Sequence, residues 1–428
     1  MRPGARRSVR RRTRPAIGWI VSAALVAGPA APLAAGVPAP QAGSKPARPV
    51  APRAPQQPPA KAGATPADQT PADRDARLAR AALEAGDAAK AIALVDGVLA
   101  KEPGHPLAAA TKVDASLALG DRLRALDTYD AWYRVVRLEN MPVLARIAGA
   151  ELAALEKDPL LEIDVLAARA AAGGADGTKA RARLADLAWA TPQTTRSWPA
   201  IVALGRLGDR KAADRAAEAY RASSGSGKVT ALDAVIAAGG PGAEAILRDA
   251  LGVRDAMLQS AAADGAATLT LKGLVPELQR VAKDGEMFAK FSAAVALARL
   301  GATGGEALID AAATSPAMDA RLKAVVARKA RGDKDWLEAA KALFTTQDPV
   351  VRYQAAALVA PVDRVAANTV LQPGTLDPNP AVRGMVADLM TQDPGTPVAE
   401  LRRLLRDGIP RVRFFAAAAI LKRPAPPA

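Results

Sequence analysis

Few residues in this chain have the types and spacing that catalysis requires. The 428 residues include no cysteine and a single histidine, His105. Ser-His-Asp and Cys-His catalysis both need a base that titrates near neutral pH beside a nucleophile, and no Ser or Cys lies near His105 in the sequence. A zinc site usually takes three or four His, Cys or carboxylate ligands. We therefore predict no catalytic residue, no metal and no cofactor, and we interpret the chain as a protein that is not an enzyme.

Two further segments match chemical motifs only in part. Ser224 to Thr230 reads SGSGKVT, but a phosphate-binding loop has Gly where Ala222 stands, Ser or Thr where Val229 stands, and a strand before it. This segment is therefore interpreted as a turn between repeats. Asp158 and Glu162 lie four residues apart, and paired carboxylates can serve a hydrolase. Because acidic residues here mostly alternate with Lys and Arg, the pair favours a solvated helix face.

Two clusters could contact a binding partner. Tyr129, Trp132 and Tyr133 fall on one face of a predicted helix, which indicates either core packing between repeats or an aromatic contact in a groove. A basic cluster near the C-terminus indicates either a solvated polar end of the array or a site for an anionic partner, such as lipid headgroups or a cell-wall polymer. The candidate partner contacts are Tyr129, Trp132, Tyr133, Arg402, Arg403, Arg406 and Arg413.

The elements that position these residues are predicted to be helices. The chain has 50% hydrophobic residues but only 3% aromatic residues. A β-sandwich or one large core uses more Phe, Tyr, Trp and Ile, whereas Ala-rich helices can pack closely. We therefore predict an all-α fold, and two internal periods specify its kind.

The first period is 34 residues long and covers residues 76–140. Gly86-Asp87 recurs as Gly120-Asp121, with apolar residues at helical spacing on both sides. Glycine at a helix end accepts the left-handed conformation, and prolines that follow the first unit cannot continue a helix. This pattern resembles the tetratricopeptide repeat, in which a Gly-Asp turn joins two antiparallel helices.

The second period is about 31 residues long and covers the C-terminal half. Basic residues spaced 31, 31, 31 and 30 apart each precede an apolar helical run, and they are Lys290, Arg321, Arg352, Arg383 and Arg413. Asp348 and Asn379 each precede a proline, which is a helix-start signal, whereas Ile409 fills that place in the last copy and cannot cap a helix.

The segments DPVVR, from Asp348 to Arg352, and NPAVR, from Asn379 to Arg383, resemble bacterial HEAT-like repeats, the type named after phycobilisome lyases. The resemblance covers about residues 195–428 and, more weakly, residues 158–195. It implies a right-handed superhelical α-solenoid of stacked antiparallel helix pairs. It also implies that the recurrent Arg is a structural ladder position that hydrogen-bonds neighbouring turns.

The N-terminal residues are typical of an export signal. Met1 to Arg14 contain seven arginines and no acid, and Ala16 to Gly28 form a largely apolar run of 13 residues that small residues and prolines follow. This order is that of a secretory signal, and a membrane-spanning helix needs about 20 residues. We therefore predict an exported protein, periplasmic or extracellular, with a signal cleaved after Ala35 or Gly36 rather than kept as an anchor.

The net charge of +15 belongs mainly to the residues that precede the repeats. Residues 1–75 contain 12 Lys/Arg and 3 Asp, and the remainder contains 46 basic and 40 acidic residues. Such a balanced remainder suits a soluble surface rather than a phosphate-binding face. The predicted divisions are a signal peptide over 1–36, a disordered Pro/Ala-rich linker over 37–75, tetratricopeptide-like helices over 76–157, and a HEAT-like solenoid over 158–428.

A solenoid offers one extended concave face that can bind a polypeptide without any catalytic residue. The sequence therefore predicts an exported protein-interaction scaffold that binds a protein or peptide on this face, with no small-molecule substrate. Membrane contact is expected only through the leader or the basic C-terminal end. Two alternatives stay open, a nucleic-acid-binding HEAT-like protein and an accessory factor or enzyme of the cell envelope.

Overall fold

The computed structural model describes residues 70–423. The predicted signal peptide over 1–36 and the predicted linker up to residue 69 lie outside the described residues, as do residues 424–428. Every regular element within the described residues is a helix, so the predicted all-α class is confirmed. The first helix begins at Pro71, within the range that the sequence pattern assigns to the linker.

The described residues contain twenty-two α-helices and two short 3-10 segments, Lys272–Leu274 and Ala342–Thr345. In chain order the α-helices are α1 (Pro71–Glu84), α2 (Ala88–Lys101), α3 (Pro106–Ala118), α4 (Arg122–Val136), α5 (Met141–Leu155), α6 (Glu162–Ala172), α7 (Gly174–Ala188), α8 (Ser197–Arg206), α9 (Arg210–Ala222), α10 (Gly225–Ala238), α11 (Ala243–Gly252), α12 (Ala256–Thr268), α13 (Val275–Asp284), α14 (Met287–Arg299), α15 (Glu306–Ala313), α16 (Met318–Arg331), α17 (Trp336–Lys341), α18 (Pro349–Val359), α19 (Arg364–Gly374), α20 (Pro380–Gln392), α21 (Val398–Leu404) and α22 (Pro410–Leu421).

Local sequence signals fix the ends of the first helices. Gly86 and Gly120 have φ values of +88° and +77°, a conformation that glycine adopts without steric cost. Asp87 and Asp121 then cap α2 and α4, because each side chain accepts a hydrogen bond from a backbone amide of the first turn. The predicted Gly-Asp turns are thereby confirmed.

Local sequence signals also fix the beginnings of the helices in the last repeats. Asp348 and Asn379 cap α18 and α20, and a proline occupies the first turn of each helix. Ile409 precedes α22 and makes no side-chain cap, because its aliphatic side chain has no hydrogen-bond acceptor. The second period therefore marks the beginnings of real helices.

From α8 onward the helices form two layers. Each even-numbered helix contacts the next even-numbered one, whereas the odd-numbered helices chiefly contact their neighbours in sequence. The even-numbered helices therefore lie on the inner side of a curved array, where successive helices crowd together. This arrangement confirms a solenoid of stacked helix pairs; its predicted right hand stays a prediction.

The solenoid closes on itself. The last helix, α22, packs along α5 and also contacts α6, and α6 in turn contacts α8. A single apolar core joins α5 to the last helices of the chain and includes Leu144 and Ile147 of α5 with Val412 and Phe414 of α22. Nine helices, the even-numbered ones from α6 to α22, thus form a closed inner layer. The expected open concave face is instead the inside of a ring, from which α1 to α4 extend.

The number of inner helices gives an estimate of the width of the ring. Helices pack with axes about 9 Å apart, so nine of them place their axes on a circle of about 13 Å radius. Subtracting a helix radius of about 5 Å, which includes the side chains, leaves an opening of roughly 16 Å. An extended chain, or a single helix of about 10–12 Å diameter, matches that width.

Candidate binding surface on the ring

Two regions of the ring contain the side chains that could bind a partner. The first is the line where α4, α5 and α6 meet α21 and α22, which we call the seam. The second is the set of side chains that the even-numbered helices turn toward the opening, which we call the inner wall. The candidate contacts predicted from the sequence lie at or beside the seam.

Arg402 joins the aromatic cluster to the basic cluster at the seam. Its guanidinium lies 3.3 Å from Asp130 and 3.2 Å from Glu139, and it stacks 3.9 Å from the ring centroid of Tyr133. Arg402 is only 6% exposed. Because a planar guanidinium can pair with carboxylates and stack on a ring at once, this arginine fixes α21 against α4.

Tyr129 and Trp132 are buried beneath this contact. The Tyr129 hydroxyl donates to Glu139 at 2.8 Å and accepts from the Asn140 amide at 2.8 Å. The Trp132 indole donates to the Gly104 carbonyl at 3.1 Å. Burial raises the pKa of Tyr129 well above its ordinary value, and its bond to Glu139 acts in the same direction. Both aromatic side chains are therefore part of the core.

Further ion pairs cross the seam. Arg406 binds Asp127 at 2.5 Å and Asp130 at 2.7 Å. Arg413 of α22 donates to Glu151 of α5 at 2.8 Å. Arg403, by contrast, pairs with Glu400 and Thr375, which lie on the same side of the seam as Arg403 itself. Apart from Arg403, the cluster therefore binds acidic groups of α4, of α5 and of the loop between them.

These positions correct two expectations. The basic cluster is not a solvated end of an open array, because ring closure packs it against the first part of the chain. Tyr129, Trp132 and Arg402 are buried, so these three cannot contact another molecule while the seam is closed. Tyr133, Arg403, Arg406 and Arg413 keep partial exposure, and their role as partner contacts stays a prediction.

The inner wall follows from the exposure pattern of the even-numbered helices. On α12 the residues that are not buried include Met257, Ala261, Asp264 and Thr268, which form one stripe along the helix. Neighbouring helices α10, α11 and α14 cover the other sides of α12. The stripe therefore faces the opening. Asp233 of α10, one 31-residue period earlier, is likewise partly exposed, whereas Ser292 and Val295 of α14, at the positions one period after Ala261 and Asp264, are buried.

At one level of the inner wall, that is, at the same height along each inner helix, several side chains are carboxylates. Asp233, Asp264 and Asp388 occupy the same repeat position on α10, α12 and α20, whereas Val295 and Val326 occupy it on α14 and α16. Burial raises the pKa of all three Asp side chains. These charges destabilise the ring unless they are compensated, so they are candidates for a role other than folding.

Cations partly compensate these carboxylates. Arg299 and Lys323 lower the pKa of Asp264 against the larger effect of burial. At the seam, Arg411 lies 3.9 Å from Asp164 and acts on Asp388 as well. The inner wall is therefore of mixed charge.

Apolar side chains lie at one mouth of the ring. Met257 and Phe288 stand at equivalent positions of α12 and α14 and remain 60% and 50% exposed. Partly buried Phe291 lies one helical turn further along α14, and the Lys323 ammonium lies 5.2 Å from the Phe288 ring centroid. Large exposed apolar groups flanked by charge are typical of protein-binding surfaces.

The remaining sequence candidates have structural roles. His105 caps α3 by accepting from the Ala108 amide, and its other ring nitrogen lies 3.3 Å from Asp73. The SGSGKVT segment is not a turn, because α10 begins at Gly225. Glu162 is buried and pairs with Arg196 at 2.6 Å, so it does not lie on a solvated face.

In the last three copies the recurrent arginine is a ladder position, as the repeat resemblance implies, whereas Arg321 instead lies 3.7 Å from the Met318 sulfur. Arg352, Arg383 and Arg413 each donate to the carbonyl oxygen of the residue six places earlier, at 2.9, 2.5 and 2.8 Å. Each of these bonds ties a helix to the loop that leads into it. Arg413 alone among these three also reaches across the seam to Glu151.

Sequence reasoning did not find the inner-wall residues. A signal exists for the carboxylates, because Asp233 and Asp264 lie one 31-residue period apart, and Asp388 follows four periods later. No sequence pattern marks Met257 and Phe288 as exposed, since apolar residues at helical spacing normally indicate core.

No protein-family model matches the chain, and no curated protein is significantly similar to it. The likeness to tetratricopeptide and HEAT-like repeats therefore remains a resemblance of motifs and of helix arrangement. Among residues 70–423, no helix has the length and apolar character to cross a membrane. Within the same range, no three His, Cys, Asp or Glu side chains are grouped so as to hold a metal ion.

Replacing Asp264 with asparagine should stabilise the ring at pH 7. Burial raises the pKa of Asp264 above its ordinary value of 3.8. The folded protein therefore binds this proton more tightly than the unfolded chain does. The stability that protonation contributes is lost as the pH rises through the raised pKa. The advantage of Asp264→Asn should therefore vanish below about pH 4. Urea unfolding at pH 7 and at about pH 3.5 measures both values, and equal stability of the two proteins at pH 7 would contradict the burial cost.

Proposed function

We propose that this protein is an exported scaffold that binds a polypeptide partner on the inner wall of its ring. One observation carries the proposal. Met257 and Phe288 are large apolar side chains held half exposed or more on adjacent inner helices. Apolar anchors in a partly enclosed surface supply most of the binding energy in protein–protein recognition.

The surroundings of these anchors support a polypeptide rather than a nucleic acid. Asp264 lies on the same helix face as Met257, and Lys323 lies beside Phe288. Charges of both signs beside apolar anchors can pair with the side chains and backbone of a peptide. A phosphate backbone would meet repulsion from the carboxylate level of the wall.

The width of the opening supports the same proposal. A polypeptide in extended or helical form fits an opening of roughly 16 Å, whereas a folded domain does not. The partner is therefore a segment that threads into the ring or a tail that enters one mouth. Export of the chain, which the N-terminal sequence pattern favours, is part of the proposal.

Site-specific photocrosslinking tests the proposal. A photoreactive phenylalanine analogue at position 288 or 257, in cells that make the protein, should give a discrete adduct with one polypeptide. The matched control is position 365, because Val365 is 81% exposed but lies on the outer helix α19. Adducts from position 365 that equal those from positions 257 and 288 would refute a specific inner-wall site.

A point substitution gives the second arm of this test. Phe288→Ser should reduce the adduct formed from position 257 by about tenfold, because removal of a buried anchor from an interface costs at least about 1–2 kcal/mol. Val365→Ser should leave that adduct unchanged. An adduct that survives Phe288→Ser at full yield would show that the anchors do not hold the partner.

A further inference from the structure

A cavity of about 420 Å³ lies at the seam. It is bounded on one side by the α3–α4 turn and α5, and on the other by the loop between α21 and α22. Its lining residues are Gly120, Asp121, Arg122, Leu123, Leu126, Ile147, Glu151, Leu405, Arg406, Asp407, Gly408 and Arg413. Small-molecule sites commonly have volumes of about 300–1,000 Å³, so this seam cavity has the size of a ligand site.

The polar side of the seam cavity contains a cluster of one carboxylate and two guanidinium groups. Glu151 is 5% exposed and accepts from Arg122 at 2.6 Å and from Arg413 at 2.8 Å. One carboxylate shared by two guanidinium groups leaves a charge of +1. Because the carboxylate is buried while Arg122 keeps a side-chain exposure of 34%, the surplus positive charge faces the cavity.

The other charges of the lining have partners of their own. Asp121 caps α4, where the helix dipole favours its negative charge. Asp407 accepts from the Ile409 amide and lies 3.5 Å from Arg383, and Arg406 is held by two aspartates of α4. The lining as a whole balances three arginines against three carboxylates, and the Glu151 group with its two arginines is the part of it that carries a surplus positive charge.

The opposite side of the seam cavity is apolar. Leu126, Ile147 and Leu405 are buried and form its floor, and Leu123 stands at its mouth with 59% of its surface exposed. An exposed leucine at the entrance of a partly enclosed cavity offers an apolar contact that no other residue between 70 and 423 fully covers. The cavity thus joins one positive charge to an aliphatic surface.

We propose that the seam cavity binds a small amphiphilic carboxylate, that is, a monoanion with an aliphatic body. The carboxylate pairs with Arg122 and Arg413, and the aliphatic body lies on Leu123, Leu126 and Leu405. Two sources have this chemistry, a free fatty acid and the C-terminal residue of a polypeptide. Because the lining comes from both sides of the seam, such a ligand favours the closed ring over the open one.

Calorimetric titration of the full-length protein tests this site with defined probes. Octanoate represents the free acid, and N-acetyl-leucyl-leucine with a free carboxylate represents the chain terminus. The uncharged controls are octanamide and the amide of the same dipeptide. Saturable binding of at least one acid, about tenfold or more tighter than its amide, is the expected result.

Two substitutions locate the binding. Leu123→Asp places a like charge at the cavity mouth, and Arg122→Gln removes a cation while the Arg413–Glu151 bond stays; each should weaken binding about tenfold or more. Leu119→Asp is the matched control, because Leu119 is 56% exposed and does not line the cavity. This control should bind like the wild type.

The outcomes separate clearly. Binding of octanoate alone identifies a free acid, and binding of the dipeptide acid alone identifies a chain terminus; both support the site. No saturable binding of either acid, equal binding of acid and amide, or unchanged binding in Leu123→Asp overturns it. The inner-wall crosslinks use other residues, so either proposal can fail without the other.

Discussion

Replacing Arg402 with alanine should lower the free energy of unfolding by about 2–4 kcal/mol and open the seam. Arg402 is 6% exposed, and its removal leaves Asp130 and Glu139 without their shared cation while Tyr133 loses its stacked partner. Breaking one side of a buried ion pair typically costs about 3–5 kcal/mol. The value here is lower because both carboxylates keep some exposure and regain water.

Urea unfolding followed by circular dichroism measures this effect, and size-exclusion chromatography reports whether the variant is more extended. Arg403→Ala is the matched control, since Arg403 is adjacent in sequence, more exposed, and pairs within its own region. We expect a loss of less than about 1 kcal/mol for it. Arg402→Lys should recover only part of the stability, because an ammonium cannot pair and stack as a guanidinium does. Equal losses in Arg402→Ala and Arg403→Ala would contradict the seam's dependence on Arg402.

Gly305→Ala is expected to cost about 2–4 kcal/mol of unfolding free energy. Gly305 has φ of +81°, and an added Cβ would lie 2.4 Å from the Ala294 Cβ and 3.0 Å from its Cα. The left-handed conformation costs an alanine about 1 kcal/mol, and forced overpacking adds about 1–3 kcal/mol. Ala294 belongs to the inner helix α14, so its backbone cannot move without disturbing the inner layer.

The matched control for this prediction is Gly332→Ala. Gly332 has nearly the same backbone conformation, with φ of +82°, but an added Cβ meets no atom within 4 Å. It should therefore show the conformational cost of about 1 kcal/mol alone. The difference between the two variants in urea unfolding isolates the close approach of the loop to α14. No difference would show that Ala294 does not restrict this loop.

The elements of the fold could be predicted from the sequence because their signals are local. Gly86 and Asp87 specify a turn through φ and a cap, and Asp348 with Pro349 specifies a helix start in the same way. The recurrent Arg383 bonds a carbonyl only six residues away. Each of these signals acts within one repeat, so a single sequence is enough to recognise it.

The closure of the ring could not be predicted in this way. It depends on the small rotation between successive repeats, summed over the whole array, and no single residue encodes that sum. The pairs that hold the seam lie far apart in sequence, as Arg402 and Glu139 do. The sequence showed an excess of arginines at one end, but only the folded chain places the matching carboxylates of α4, of α5 and of the loop between them against these arginines.

Closure also changes how stability is distributed. In an open array each repeat contacts only its neighbours, so the ends fray independently. Here the last helix completes the core of α5, and loss of either end exposes the other. The ring should therefore unfold more cooperatively than an open solenoid of equal length.

A distance measurement across the seam tests closure most directly. The chain contains no cysteine, so Leu123→Cys and Gly408→Cys can be labelled with nitroxide groups and no others react. Both positions line the seam cavity, and an added Cβ at Gly408 meets no atom within 4 Å. A closed ring predicts one narrow, short distance by pulsed electron spin resonance. A broad distribution extending toward about 80 Å, the length of nine helix layers about 9 Å apart, would contradict the ring.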